Sequence, residues 1–104
     1  MEDWLTVSYG DYNGDGNEEA QVTYNYSGSG SIKRYYVYGY EGQTLTRFLE
    51  TGDIYQGSII FDGGRFVVKE PIHLPNDFAG GVLYTYYKWN GQAFVQDGQE
   101  KKPA

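Results

Sequence analysis

Nowhere along this chain do apolar residues recur at the three- to four-residue interval of a helix. They alternate with polar residues, or cluster in runs of five to eight rich in Tyr, Val, Ile, Thr and Phe, and each run is bounded by Gly, Asn or Asp. Branched and aromatic side chains pack well on a pleated surface, so the pattern specifies short strands joined by turns. Strands are expected at Trp4–Tyr9, Ala20–Tyr26, Ile32–Tyr40, Thr44–Leu49, Gly57–Phe61, Arg65–Glu70, Val82–Trp89 and Ala93–Gln96. In Val22-Thr23-Tyr24-Asn25-Tyr26 one face carries Val22, Tyr24 and Tyr26, while Thr23 and Asn25 point the other way. The expected fold is all-β: a single-domain antiparallel sandwich, or a partly open barrel or meander of about seven or eight strands, with hairpins like those of a propeller blade.

Three turns share a pattern, an aromatic, then an acid or amide, then Gly, with Leu or Phe three residues on: Tyr40-Glu41-Gly42 with Leu45, Phe61-Asp62-Gly63 with Phe66, and Trp89-Asn90-Gly91 with Phe94. Asp-Gly and Asn-Gly supply the backbone angles of tight hairpins. The intervals are too uneven for a solenoid, and any hairpin needs such a turn. Two segments interrupt the hairpins. Ser27–Gly30 is a polar, flexible tip. Pro71–Gly81 holds two prolines and is expected to be a loop over one end of the core, since proline cannot pair within a central strand. The domain is expected to span residues 1–98, with residues 99–104 a disordered tail.

The chain of 104 residues carries a net charge of −6. An acidic surface lacks the basic stripe that neutralises phosphates, so nucleic acid is not an expected partner, nor is an anionic membrane surface. No apolar run reaches the roughly 20 residues needed to cross a bilayer as a helix. There is no cysteine, which removes disulfides, zinc ribbons and thiol nucleophiles. Met1-Glu2-Asp3-Trp4 lacks the basic then apolar order of a signal peptide. That leaves a cytosolic protein or one whose targeting segment has been removed, and the strand-like start at Trp4 favours a trimmed domain. The lone His73 lies between two prolines, no Gly-rich loop follows a strand and opens a helix, and catalysis is not expected. Asn25-Tyr26-Ser27 matches a glycosylation sequon.

Chemistry concentrates in Asp11-Tyr12-Asn13-Gly14-Asp15-Gly16-Asn17-Glu18-Glu19. Oxygen-bearing side chains fall at positions 1, 3 and 5, a glycine at 6 and an acid at 9. Alternate residues of a tightly curled loop point inward, and calcium takes six to eight oxygen ligands at roughly 2.3–2.6 Å. Asp11, Asn13, Asp15 and Glu19 are the expected side-chain ligands, and the Asn17 carbonyl the backbone ligand. Gly16 permits the sharp reversal. Several like charges in nine residues repel unless a counter-ion is present. The alternative is a turn-rich hairpin whose acids are solvated. Magnesium, which wants a rigid octahedral site, fits less well. The spacing follows an EF-hand through nine positions, but position 12 is Val22 and no helix flanks the loop.

The stretch from Gly10 to Val22 resembles the FG-GAP and VCBS-type repeats, in which a D-x-[DN]-x-D-G-x-x-[DE] loop joins two strands. The resemblance covers about residues 4 to 26. It implies a loop that binds calcium between two strands, often within a propeller blade of a secreted or surface protein. Those repeats usually end the loop with Asp, where this chain has Glu19, and a single copy does not close a propeller.

A second feature is the density of tyrosine, 12 residues. Tyr36, Tyr38, Tyr40, Tyr84, Tyr86 and Trp89 fall on two expected strands and would form a stacking surface for a sugar or peptide if they face solvent. Alternatively, alternate rings fill the core and the rest line its boundary, with their hydroxyls wet. Consecutive pairs such as Tyr35-Tyr36 and Tyr86-Tyr87 must face opposite ways. The function expected is that of a non-catalytic, calcium-stabilised β module, extracellular, on the cell surface or periplasmic, binding a protein or other ligand. The alternatives are a carbohydrate-binding accessory domain and a structural module that pairs through its edge strands.

Overall fold

A computed structural model describes residues 2–27, 32–73 and 79–103. Nine strands fill them: β1 (Trp4–Gly10), β2 (Glu19–Asn25), β3 (Ile32–Glu41), β4 (Thr44–Glu50), β5 (Ile54–Tyr55), β6 (Ser58–Asp62), β7 (Arg65–His73), β8 (Ala79–Trp89) and β9 (Phe94–Lys102). They form two antiparallel sheets. One runs in the order β1-β2-β3-β4, with the short β5 added to β3, and the other runs β6-β7-β8-β9. The nine strands thus make two separate antiparallel sheets, as the all-β expectation has it, and no closed barrel.

The repeated turn pattern has a direct structural meaning. Tyr40 lies opposite Leu45, Phe61 opposite Phe66 and Trp89 opposite Phe94. Each aromatic and the residue five places on are the cross-strand pair that closes a hairpin, the contact that stabilises neighbouring strands most directly. In the last of these turns Asn90 Oδ1 accepts the Gln92 and Ala93 N–H groups, at 2.8 and 2.9 Å.

The two sheets meet through Val37, Phe48 and Leu49 on one side and Phe66 and Phe94 on the other, with Tyr12, Ile59, Tyr87 and Trp89 packed around them. Rings carry the contact. Phe48 meets Trp89 edge-on at 4.9 Å, and Phe66 meets Phe94 at 4.9 Å, in the tilted geometry aromatic pairs prefer. The overlap is partial. Trp4, Leu5, Val7 and Tyr9, which include residues from both faces of β1, are all exposed, and the molecule measures 50 × 34 × 16 Å.

Three expectations need correction. The tail is strand rather than disorder: β9 continues to Lys102, pairing Gln99 with Thr85 and Glu100 with Tyr84. Pro71 is strand too, opposite Val82. It is tolerated because the β6 pairing ends at Ser58 and Lys69, so at Pro71 the strand has a neighbour on one side only. Asn25 is a poor glycan acceptor. It is buried, and its Nδ2 donates to the Trp4 and Thr23 carbonyls and to Thr6 Oγ1, at 3.3, 3.3 and 3.2 Å. Residues 28–30 of the expected flexible tip and residues 74–78 of the expected loop lie outside the described residues.

Candidate metal centre

The acidic loop leaves β1 at Gly10 and re-enters the sheet at Glu19, which pairs with Gly10. Its side chains fold inward onto its own backbone. Asp11 Oδ1 accepts the N–H groups of Gly14 and Asp15 at 2.9 and 3.1 Å, and its Oδ2 accepts that of Gly16 at 2.8 Å. Asn13 Oδ1 accepts the Asp15 N–H at 3.2 Å, and Asp15 Oδ1 accepts the Asn17 N–H at 2.8 Å. Gly16 has φ of 88°, a conformation a side chain would resist. These bonds hold the loop curled with its carboxylates converging.

Asp11, Asp15 and Glu19 each present an oxygen within 4.8 Å of the others. Two oxygens bound to one calcium ion can be at most roughly 4.6–5.2 Å apart, twice the usual ligand distance, so the cluster has the right span. The lone pairs not used within the loop decide which oxygens are open to an ion. A carboxylate has about four acceptor positions. Three of those on Asp11 are already used, which leaves it one. Glu19 Oε1 accepts the Tyr12 and Asn13 N–H groups at 2.7 and 3.2 Å, so its Oε2 is the free ligand. Asp15 keeps most of its capacity. The set is entirely hard oxygen, which suits calcium and not a thiophilic metal.

Glu19 is the unusual member. Only 2% of it is exposed. Burial pushes its carboxyl up from the ordinary value; the Tyr12 and Asn13 N–H groups pull it down, and Asp15 and Asp11 push it up again. Among the described residues the ion pairs are Arg34–Asp53 and Arg47–Glu50, and neither supplies a cation to the loop. Space for Glu19 comes from Gly39: a Cβ there would lie 2.8 Å from Glu19 Cγ and 2.5 Å from Phe48 Cε2.

Sequence reasoning passed over Tyr12, the second loop position, because it brings no ligand. Its ring packs on Phe61 and Phe66 at 5.1 and 5.0 Å, so the loop is anchored in the facing sheet. Burial, then Glu19 and Glu18, raise its hydroxyl above the usual tyrosine value. The signal available was a lone aromatic inside an otherwise polar loop.

The six candidate rings do not share one surface. Tyr36 and Tyr38 stack at 6.1 Å on the outer side of β3, away from the buried Tyr35 and Val37. Tyr84 and Tyr86 lie on the outer side of the other sheet beneath cations: Arg65 sits 3.9 Å over Tyr86, and Lys102 sits 4.3 Å over Tyr84. Tyr86 also donates to Glu100 Oε1 at 3.0 Å. Tyr40 and Trp89 come together elsewhere, in a cleft beside the acidic loop that also takes in Asn13, Asp15, Glu41 and Gln92. That convergence joins three turns distant in sequence. No family model, curated protein or solved structure matches the chain.

Proposed function

We propose that the chain is a non-catalytic β module whose Asp11–Glu19 loop binds one calcium ion as a structural clamp. The observation that carries this reading is the convergence of three carboxylates within 4.8 Å, one of them buried and without a cation among the described residues. The ion would be held by Asp11, Asp15 and the free oxygen of Glu19, with Asn13 Oδ1 and the Asn17 carbonyl as further ligands and water filling the rest of the six to eight positions calcium takes. It would supply charge neutralisation and fix the β1–β2 connection. With calcium at about 100 times its dissociation constant the gain is about 2.7 kcal/mol. Extracellular modules bind calcium at roughly 10⁻⁴–10⁻³ M, so a site of this exposure is matched to a secreted, surface or periplasmic protein. The likeness of residues 4–26 to FG-GAP and VCBS-type loops points the same way.

The test is a thermal melt of metal-stripped protein titrated with calcium, with magnesium as control. A calcium-specific rise in Tm that Asp15→Asn abolishes supports the clamp. A flat response up to about 10 mM, beyond the weak extracellular range, rejects it.

One observation favours a second role, assembly through an edge strand. β1 is an edge strand of seven residues with no charge or proline, and Trp4, Leu5, Val7 and Tyr9 are exposed on it. Natural edges are usually protected. β4 carries Arg47 and Glu50, and β9 carries Asp97, Glu100, Lys101 and Lys102. On this reading Val7→Lys lowers any concentration-dependent association measured by analytical ultracentrifugation, and a wild-type protein that stays monomeric without a partner strand argues against self-pairing.

A further inference from the structure

We infer that the cleft beside the acidic loop binds a single neutral sugar unit. The inference goes beyond the β module proposed above by giving it a ligand, and does not require the calcium ion. The cleft has a volume of about 300 Å³, at the lower end for ligand pockets, which suits one ring better than an extended peptide. Three turns form its walls. The acidic loop contributes Asn13 and Asp15, the β3–β4 hairpin contributes Tyr40 and Glu41, and the β8–β9 turn contributes Trp89 and Gln92.

The chemistry of this set is selective. A sugar presents hydroxyls that both donate and accept, and a flat C–H face. Carboxamides donate and accept at once, while carboxylates accept. Gln92, Glu41 and the Asn13 Nδ2 group therefore match hydroxyls, since Asn13 Oδ1 and Asp15 are the oxygens that face the ion. The carboxyl of Glu41 and the side-chain amide of Gln92 make no hydrogen bond within the protein among the described residues. The rings match the C–H face. Trp89 is held by Phe48 at 4.9 Å and Phe94 at 5.1 Å, so one wall is fixed before a ligand arrives, which lowers the ordering cost of binding. Tyr40 is 65% exposed and free to cover the ligand. No Lys, Arg or His lines the cleft, so phosphates and acidic sugars are disfavoured. A cationic ligand would use the rings and carboxylates but leave both carboxamides without a role.

The test uses the full chain carrying Trp4→Phe, so that indole fluorescence reports Trp89 alone. It is titrated with D-glucose, D-galactose, D-mannose and N-acetyl-D-glucosamine, with D-glucuronate and tetramethylammonium as controls, in calcium and again in EGTA. The expected result is a saturable change with one or more of the neutral sugars at millimolar affinity. Tyr40→Ala and Gln92→Ala, both at exposed positions, should each weaken it at least about fivefold. Gln92→Ala should leave Tm unchanged, and Tyr40→Ala should lower it only by the small amount that the cross-strand pair with Leu45 contributes. Saturation by tetramethylammonium alone overturns the inference in favour of a cation site. So does the absence of a saturable change with every neutral sugar to about 100 mM, weaker than any specific site of this kind, or a change that both variants leave intact. Sugar binding in EGTA beside a flat calcium melt would reject the clamp and leave the sugar site standing. The reverse pattern would reject the sugar site alone.

Discussion

At the scale of single residues, two buried polar groups decide the most. Tyr35 is 1% exposed, and its hydroxyl has no hydrogen-bond partner. Burial pushes it up to about 12 from 10.0. The unfolded chain releases this proton near the lower value and the folded chain holds it to the higher one. Tyr35 therefore subtracts stability as pH rises between the two. Tyr35→Phe should raise stability at neutral pH by about 1 kcal/mol, since an unsatisfied buried group costs about 1–3 kcal/mol. Its advantage over the native chain should widen in alkali, as urea unfolding at both pH values will read. The Glu19 carboxylate is buried as well, but with a purpose under the calcium reading. Glu19→Gln keeps an oxygen for the Tyr12 and Asn13 N–H groups while removing the charge. In calcium-free buffer its Tm should equal or exceed that of the native protein, whereas added calcium should no longer raise it. A variant that still responds to calcium would remove Glu19 from the ligand set.

At the scale of elements, the loop and the strands beneath it work as one unit. Gly39 lies on β3 beside the point where Glu19 enters the sheet, and its missing Cβ is the space that Glu19 Cγ and the Phe48 ring use. Gly39→Ala should cost about 1–3 kcal/mol by overpacking and weaken the calcium response at the same time, because Glu19 must move. Lost stability with an intact calcium response would mean that Phe48 yields and Glu19 does not. The strands themselves were legible from alternation, and the turn pairs Tyr40/Leu45, Phe61/Phe66 and Trp89/Phe94 were visible as a repeat before their pairing was known. What alternation did not reveal is equally physical. Residues 95–102 of β9 are exposed throughout, so Gln96 to Lys102 carries no apolar period to read. β5 is two residues long, and Pro71 is permitted only because a neighbouring strand stops short. The spacing of the oxygen-bearing side chains in the loop was local and therefore readable. The meeting of Tyr40 with Trp89 depends on how the two sheets cross, which no local pattern encodes.

At the scale of the whole molecule, the two sheets overlap unevenly. The shared core lies under β3, β4, β7, β8 and β9, where Val37, Phe48, Phe66, Val68 and Phe94 are buried. β1 has exposed residues on both faces and pairs with β2 alone. The radius of gyration, 14.8 Å, exceeds the roughly 13 Å of a compact chain of about 100 residues, as a sheet overhanging its partner requires. Stability must then fall from the shared core toward β1, since local opening is easiest where few apolar contacts are lost. The acidic loop joins β1 to β2 at the edge of this weak region, and Tyr12 ties it to Phe61 and Phe66 in the facing sheet. A calcium ion in the loop would therefore act on the part of the molecule that most needs it. Hydrogen exchange should find the amides of β1 that pair with β2 less protected than those between β7 and β8 in metal-free protein. Calcium should slow exchange in β1 and β2 more than in β7 and β8. Tyr12→Ala should lose that selectivity along with stability, because the clamp would no longer be anchored to the second sheet. Uniform protection across both sheets without metal would show that the overhanging strand is held by its pairing to β2 alone, and the loop would then have no structural work left for an ion to do.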